Sequence, residues 1–137
     1  MKGIDKGKRQ VLTHKEKVIL KLDDMDIECS KAIIERKTNS FDAYRNVHVQ
    51  KGNTLNIYSD FLTYDGTTEN GKFRDNVKMV EEGQTLTTEY LDFNASDNSG
   101  YFYNGGRIVD SSTVLDCKRG YYYPDKSQYV FYDSVVV

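Results

Sequence analysis

At 137 residues the chain is of single-domain length, with material for one modest core. Its formal net charge is -2 and its pI about 5.7, with Lys and Arg interspersed among Asp and Glu, so no basic face marks it for nucleic acid. The longest apolar run near the N-terminus, Val18-Ile19-Leu20, is too short for a signal-peptide core or a membrane span.

In chain order, residues 1–17 read as a polar arm outside the fold, and residues 18–137 as one domain. That domain repeats itself. RNVHV at 45–49 and DNVKM at 75–79 lie about 30 residues apart, and NTLNIYSDFLTYD at 53–65 returns as QTLTTEYLDFNAS at 84–96. Weaker copies flank them: MDIECSKAIIERK at 25–37 leads into NSFDAYRNVHV, and STVLDCKRGYYYPDK at 112–126 into YVFYDSVVV. GGRIV at 105–109 takes the place of DNVKM in the third copy. Each unit is an opening strand, a polar turn, a return strand ending in a Val- or Ile-based pair, and a second turn. The turns fall at Lys37-Thr38-Asn39-Ser40, at Asp65-Gly66 with Asn70-Gly71, at Asp97-Asn98-Ser99-Gly100 and at Pro124-Asp125-Lys126.

The second of these turns, GTTENGKF (66–73), meets all but the last position of the phosphate-loop pattern GxxxxGK[ST]. A phosphate loop must open a helix and end on a hydroxyl that holds magnesium. Here Phe73 stands last and strand patterns flank both sides, so the stretch is a hairpin turn.

No segment sustains a 3.6-residue apolar period, and a single Pro leaves long strands uninterrupted. Return strands carry apolar residues on one alternate set (Phe73, Val77, Met79, then Phe131, Val135, Val137), and opening strands begin with Ile27, Leu55 with Ile57, Leu86 and Leu115. Alternation slips near Ser59-Asp60-Phe61, which places a bulge or bend within each opening strand. Units with one apolar face must stack and close over a shared interior. The expected fold is all-β: an elongated two-sheet β-jellyroll of stacked antiparallel two-strand repeats.

TLNIYSDFLTYDG, NVHVQKGNTL and LTTEYLDFN, with YFYNGGRIVD and RGYYYPDKSQYVFYDSVVV, resemble the OstA-like family related to LptA, in its Bacteroidetes-type variant. The resemblance spans about residues 18 to 137 and departs most at Asp23-Asp24-Met25-Asp26. It implies a taco-like jellyroll, an export signal not present in this sequence, a periplasmic location, outer-membrane biogenesis as the context, and lipopolysaccharide carried in an apolar interior. The implied function is non-catalytic lipopolysaccharide binding and transport, with lipid A acyl chains in a groove lined by Val47, Val49, Leu55, Ile57, Phe73, Val77, Met79, Leu86, Ile108, Leu115, Phe131 and Val135. Its implied partner is lipopolysaccharide, and the unpaired first and last strands lead to the expectation of pairing with other jellyroll transport components or with a second copy head to tail. The chain is expected to continue beyond Val137, because an apolar return strand there would be an unprotected edge. The rival expectation is a structural β-module that assembles through its edges without a lipid.

Catalytic parts are scarce, and neither an enzyme nor a cofactor or metal site is expected. His14 and His48 are the two histidines, and His48 alternates with Val47 and Val49, so it faces away from them as a solvated strand residue. GxSxG and HExxH are absent. Asp92, Asn94 and Ser96 begin like a calcium loop, but Asp97 stands where Gly is needed and Tyr103 where Glu is needed. Asp23-Asp24 and Glu81-Glu82 are adjacent, so on strands their side chains diverge. Cys29 and Cys117 hold matching positions in the first and last copies. Three strand steps of ~4.8 Å would part them by ~14 Å, beyond the ~7 Å a disulfide spans, so both are expected as small buried hydrophobes. Tyr101, Tyr103, Tyr121, Tyr122, Tyr123, Tyr129 and Tyr132 have two readings, a sugar-binding platform or cross-strand packing.

Overall fold

The structure, a computed structural model, describes residues 2–6, 9–126 and 128–136, with side chains at 17–126 and 128–132. Eleven strands follow in order: β1 (Lys2–Lys6), β2 (Arg9–Leu22), β3 (Met25–Glu35), β4 (Ser40–Lys51), β5 (Leu55–Asp65), β6 (Asn70–Glu81), β7 (Gln84–Asn94), β8 (Ser99–Phe102), β9 (Gly106–Val109), β10 (Val114–Tyr123) and β11 (Gln128–Val136). A 3-10 turn, Pro124–Lys126, lies between the last two. Every neighbour pairs antiparallel, in the path β1-β2-β3-β4-β5-β6-β7-β8-β10-β11. β9 lies end to end with β8 and also pairs β7 and β10, so the two are halves of one return strand. Hairpin succession of this kind follows from short polar turns between strands of similar length.

The expected two sheets are one hydrogen-bonded sheet folded along a crease. Registers shift between Glu28 and Lys31 on β3, between Tyr44 and Val47 on β4, between Tyr58 and Phe61 on β5 and between Arg74 and Val77 on β6. The slip near Ser59-Asp60-Phe61 thus falls where it was expected, but the extra residue belongs to the return strands. Arg45 and Asn46 oppose Asp60 alone, and Asp75 and Asn76 oppose Glu89 alone. All four residues have positive φ, as do Asn104 and Gly105 between β8 and β9. Asn and Gly tolerate this left-handed backbone best, which explains why RNV, DNV and NGG recur at about 30-residue spacing. The opening strands answer with small buried side chains at the same level: Cys29, Ser59, Thr88 and Cys117. There Ser59 and Thr88 satisfy their hydroxyls on Phe61 and Gly105 carbonyls at 3.0 and 2.8 Å.

Residues 2–6 and 9–17, expected in a polar arm, lie in the sheet. β1 and most of β2 come from them, with β2 registered on β3 from Arg9↔Glu35 to Leu22↔Met25 and shifting at the same crease between Thr13 and Val18. Backbone pairing extends the sheet here without an apolar alternation that a sequence pattern would reveal. Asn70-Gly71, expected in the turn, opens β6 instead, and the turn is 66–69 with Glu69 at φ 60. Gly71 lies under the core, where an added Cβ would sit 3.4 Å from Leu62 Cδ1. The departure at Asp23-Asp24 is a two-residue turn with Asp23 at φ 52, after which Met25 is buried and paired with Lys51.

One core lies between the leaves. The first leaf, which carries the turns at 23–24, 52–54, 82–83 and 110–113, contributes Ile27, Val47, Val49, Leu55, Ile57, Val77, Met79, Leu86 and Ile108. The second leaf, ending at 36–39, 66–69, 95–98 and 124–126, contributes Phe41, Leu62, Tyr64, Phe73, Leu91, Phe93, Phe102 and Tyr122. Each large side chain buried in this way stabilises the fold by roughly 1.5–3 kcal/mol relative to exposure. The crease lets one strand feed both walls: β5 buries Leu55, Ile57 and Ser59, then changes parity to bury Leu62 and Tyr64.

Candidate functional site

The interior between the leaves is the candidate site, and the strands aim side chains into it from both sides. Of the twelve residues expected to line a groove, Val47, Val49, Leu55, Ile57, Phe73, Val77, Met79, Leu86 and Ile108 are buried in the one core. Leu115 and Phe131 are half-buried at its β10–β11 end. Val135 pairs with Asp116 through its backbone, and its side chain lies outside the described residues, as does Val137 altogether. All but two of those with described side chains belong to the first leaf. The opposite wall, Phe41, Leu62, Tyr64, Leu91, Phe93, Phe102 and Tyr122, was missed because its parity changes at the crease. Its signal was present in FLTYD and LDFN, whose Leu62-Tyr64 and Leu91-Phe93 alternate on the opposite parity from the strand starts.

The interior is packed. Met25, Ile27, Val49 and Ile57 meet Phe41, Leu62, Tyr64, Phe73 and Phe93 around a cavity of about 10 Å³, room for about one water molecule. Its ends are less covered. Leu20, Leu22 and Ile34 at the β2–β3 side, and Tyr129 and Phe131 at the β11 side, pack on the core while remaining partly exposed. Along the seam where the two sets of turns approach, the lining becomes polar. A cleft of about 210 Å³ is bounded there by Asp24, Lys51, Thr54 and Glu81 from the first leaf and Asn98, Pro124 and Asp125 from the second. Lys51 pairs with Asp24 at 3.2 Å, and Asn98 donates to Asp125 at 2.7 Å. Glu81 is a buried carboxylate that accepts hydrogen bonds from Tyr122 Oη and, at 3.2 Å, from Thr54 Oγ1. Burial first, then the bond to Glu81 and its charge, push the Tyr122 phenol far above its ordinary range, and burial with the Glu81 charge does the same to Tyr129. Both rings therefore stay neutral, and Tyr122 is the one that donates, to Glu81.

The tyrosines divide between the two faces. Tyr122 and Tyr129 stack inside at 4.2 Å between centroids. Outside, Tyr90, Tyr101, Tyr103, Tyr121, Tyr123 and Tyr132 form a ladder, with Tyr90 and Tyr103 at 5.6 Å and Tyr101 and Tyr103 at 5.4 Å, both stacked. The same row crosses most of the sheet, from Lys31 over Tyr44 through Phe61 and Arg74 to Tyr90, and on to Arg119 over Tyr132. Arg74 lies 5.1 Å from the Tyr90 centroid and pairs with Asp92 at 2.9 Å. Rings that stack on one another along the sheet direct edges and hydroxyls, more than faces, to solvent. The ladder is cross-strand packing.

The other candidate groups are placed as follows. His48 is on the exterior of β4, stacked on Tyr58 at 4.4 Å with Nε2 2.8 Å from Asn56 Oδ1. Cys29 and Cys117 are both free and buried, and burial pushes the Cys29 thiol up to about 11. Glu81 and Glu82 do diverge, one buried and one exposed. Among the described residues no three His, Cys, Asp or Glu side chains gather into a group able to hold a metal, and no helix is long and apolar enough to cross a membrane.

Fold and interior together define a β-jellyroll of the two-leaf kind, closed around an apolar filling. The chain belongs to the OstA-like protein family, whose model matches residues 2–137. Among solved structures it is similar to LptH of Pseudomonas aeruginosa, described as the LptA-homologous periplasmic component of the conserved lipopolysaccharide transport device. That match has a TM-score of 0.69 at 9% identity and covers 78% of this chain and 80% of the other, which establishes a shared fold. No curated protein matches the sequence.

Proposed function

We propose that this chain is a non-catalytic periplasmic module that binds lipopolysaccharide through its lipid A acyl chains and passes it towards the outer membrane. Membership of the OstA-like family and the fold shared with LptH support the transport reading. The observation that carries the lipid is the interior itself, an apolar filling drawn from both leaves and partly uncovered at each end of the stack. Acyl chains gain about 0.8 kcal/mol per CH₂ removed from water, so a trough of this lining suits them. The lining proposed is the set of twelve named from sequence, with the second wall of Phe41, Leu62, Tyr64, Leu91 and Phe93 added. Partners are other jellyroll transport components or a second copy, joined through the β11 edge, which pairs β10 on one side.

A specific observation favours the alternative, a structural module assembled by its edges. The cavity between the leaves is about 10 Å³, far too small for an acyl chain without the leaves parting. A photo-crosslinking phenylalanine analogue separates the two readings. Placed at Tyr64, which is buried against the cavity, it is expected to capture lipopolysaccharide, while at the exposed Tyr58 it captures none. Equal labelling at both positions, or none at Tyr64 with the fold intact, favours the structural module.

A further inference from the structure

Loading the interior requires the leaves to separate, and a buried polar contact among the described residues closes the seam between their turns. Glu81 ends β6 at the first leaf's turn edge, whereas Tyr122 lies near the end of β10 at the second leaf's turn edge. Tyr122 Oη donates to Glu81 Oε1 across the seam, and both residues are nearly inaccessible, at 1% and 7%. The other polar contacts lining this cleft stay within one leaf: Lys51 with Asp24 and Thr54 with Glu81 on the first, Asn98 with Asp125 on the second. The core described between the leaves is apolar, and apolar contact is non-directional and tolerates sliding. A charge-assisted bond fixes one geometry and, once broken, leaves a desolvated carboxylate that water can satisfy if the seam opens.

We propose that Tyr122 and Glu81 latch the seam, and that the seam is the door through which an acyl chain enters the interior. The route rests on the lipid reading above, whereas the latch does not. Closed, the pair excludes water from the apolar filling. Opened, it presents Glu81, Thr54 and Lys51 on one lip, with Asn98 and Asp125 on the other, to a polar headgroup that stays outside while its chains pass between.

The latch is tested without lipid by the reactivity of an interior thiol. Ile57→Cys, which lines the cavity, is introduced with Cys29→Ser and Cys117→Ser, replacements that match Ser59 and Thr88 at the crease. In this background Tyr122→Phe keeps the ring stack on Tyr129 and removes the donor, and is expected to raise the labelling rate about ten- to a hundredfold, the usual scale for a hydrogen bond to a charged group. Glu81→Gln is the second variant, should Tyr122→Phe lose its cooperative thermal transition, and is expected to raise the rate by a smaller factor. Unchanged labelling in a folded variant overturns the latch. The route is tested by bridging Thr54→Cys and Asp125→Cys, exposed residues on opposite lips of the cleft, with a flexible bis-maleimide in the Cys29→Ser and Cys117→Ser background without the interior thiol. Bridged protein is expected to lose uptake of lipopolysaccharide from vesicles while Tyr122→Phe takes it up faster. Uptake unaffected by the bridge overturns the route. If no form of the protein takes up lipid, yet Tyr122→Phe speeds labelling, the latch stands and the lipid reading fails.

Discussion

Single side chains at the crease and turns are held to narrow chemistry. Cys29 shares its level with Ser59, Thr88 and Cys117, so volume matters there more than sulfur. Cys29→Ser is expected to fold with a loss of at most about 1.5 kcal/mol, the scale of a small core change, read from a urea midpoint. The same variant has a pH signature. Burial raises the folded Cys29 pKa from 9.0 to about 11, so the thiol's contribution is fully present below 9.0 and is lost as pH rises through the folded value. Wild-type stability should fall between pH 9 and 11 more steeply than that of Cys29→Ser. Gly66 is constrained by contact instead of conformation: a Cβ there would lie 2.1 Å from the Thr38 carbonyl oxygen of the neighbouring turn. Backbone cannot rotate aside as a side chain does. Gly66→Ala should cost about 1–3 kcal/mol, and an unchanged melting temperature would show that the turns do not stack as described.

At the scale of the strand, the crease depends on paired left-handed residues. Asn76, at φ 52, also donates to Asp60 Oδ2 at 2.7 Å across the strand pair. Gly105 occupies the matching position after β8, so Asn76→Gly is expected to preserve the bend with a modest loss. A β-branched residue is costly in that conformation, and Asn76→Val should destabilise by roughly 2 kcal/mol or more. Equal stability of the Gly and Val variants in urea would mean that the backbone there has another solution. RNV, DNV and NGG made this element legible as a repeat, yet its role was not. The same strings suit hairpin turns, and only pairing with Asp60 and Glu89 across the sheet shows two residues opposing one.

Among the described residues the stack runs from β1 to β11, each paired on one side. β11 pairs β10 and no other strand among the described residues, and the core reaches that side through half-buried Tyr129 and Phe131. A strand edge beside uncovered apolar surface invites addition of another chain, and a last-to-first contact propagates instead of closing. Sedimentation should show association that grows with protein concentration and weakens in Val135→Lys, which puts a blunting charge on that edge. A strict monomer at high concentration, identical in the variant, would argue against edge pairing.

The sequence alone determined the class of fold, because strand periodicity, turn chemistry and repeat length are local properties written into successive residues. It also determined most of the first wall, from Val47 and Ile57 to Met79 and Leu86, since alternation holds from each first-leaf turn to the crease. Tertiary structure decided the rest. The second wall appears when parity changes at Ser59-Asp60, a change that depends on the partner strand's extra residue. Residues 9–17 join the sheet through backbone pairing to β3, which carries no apolar signal of its own. Glu81 and Tyr122 are 41 positions apart, in different copies and on opposite leaves, and meet because the sheet folds over on itself. Contacts across a fold are set by where the crease falls, and no spacing along the chain encodes which far side chain will be waiting.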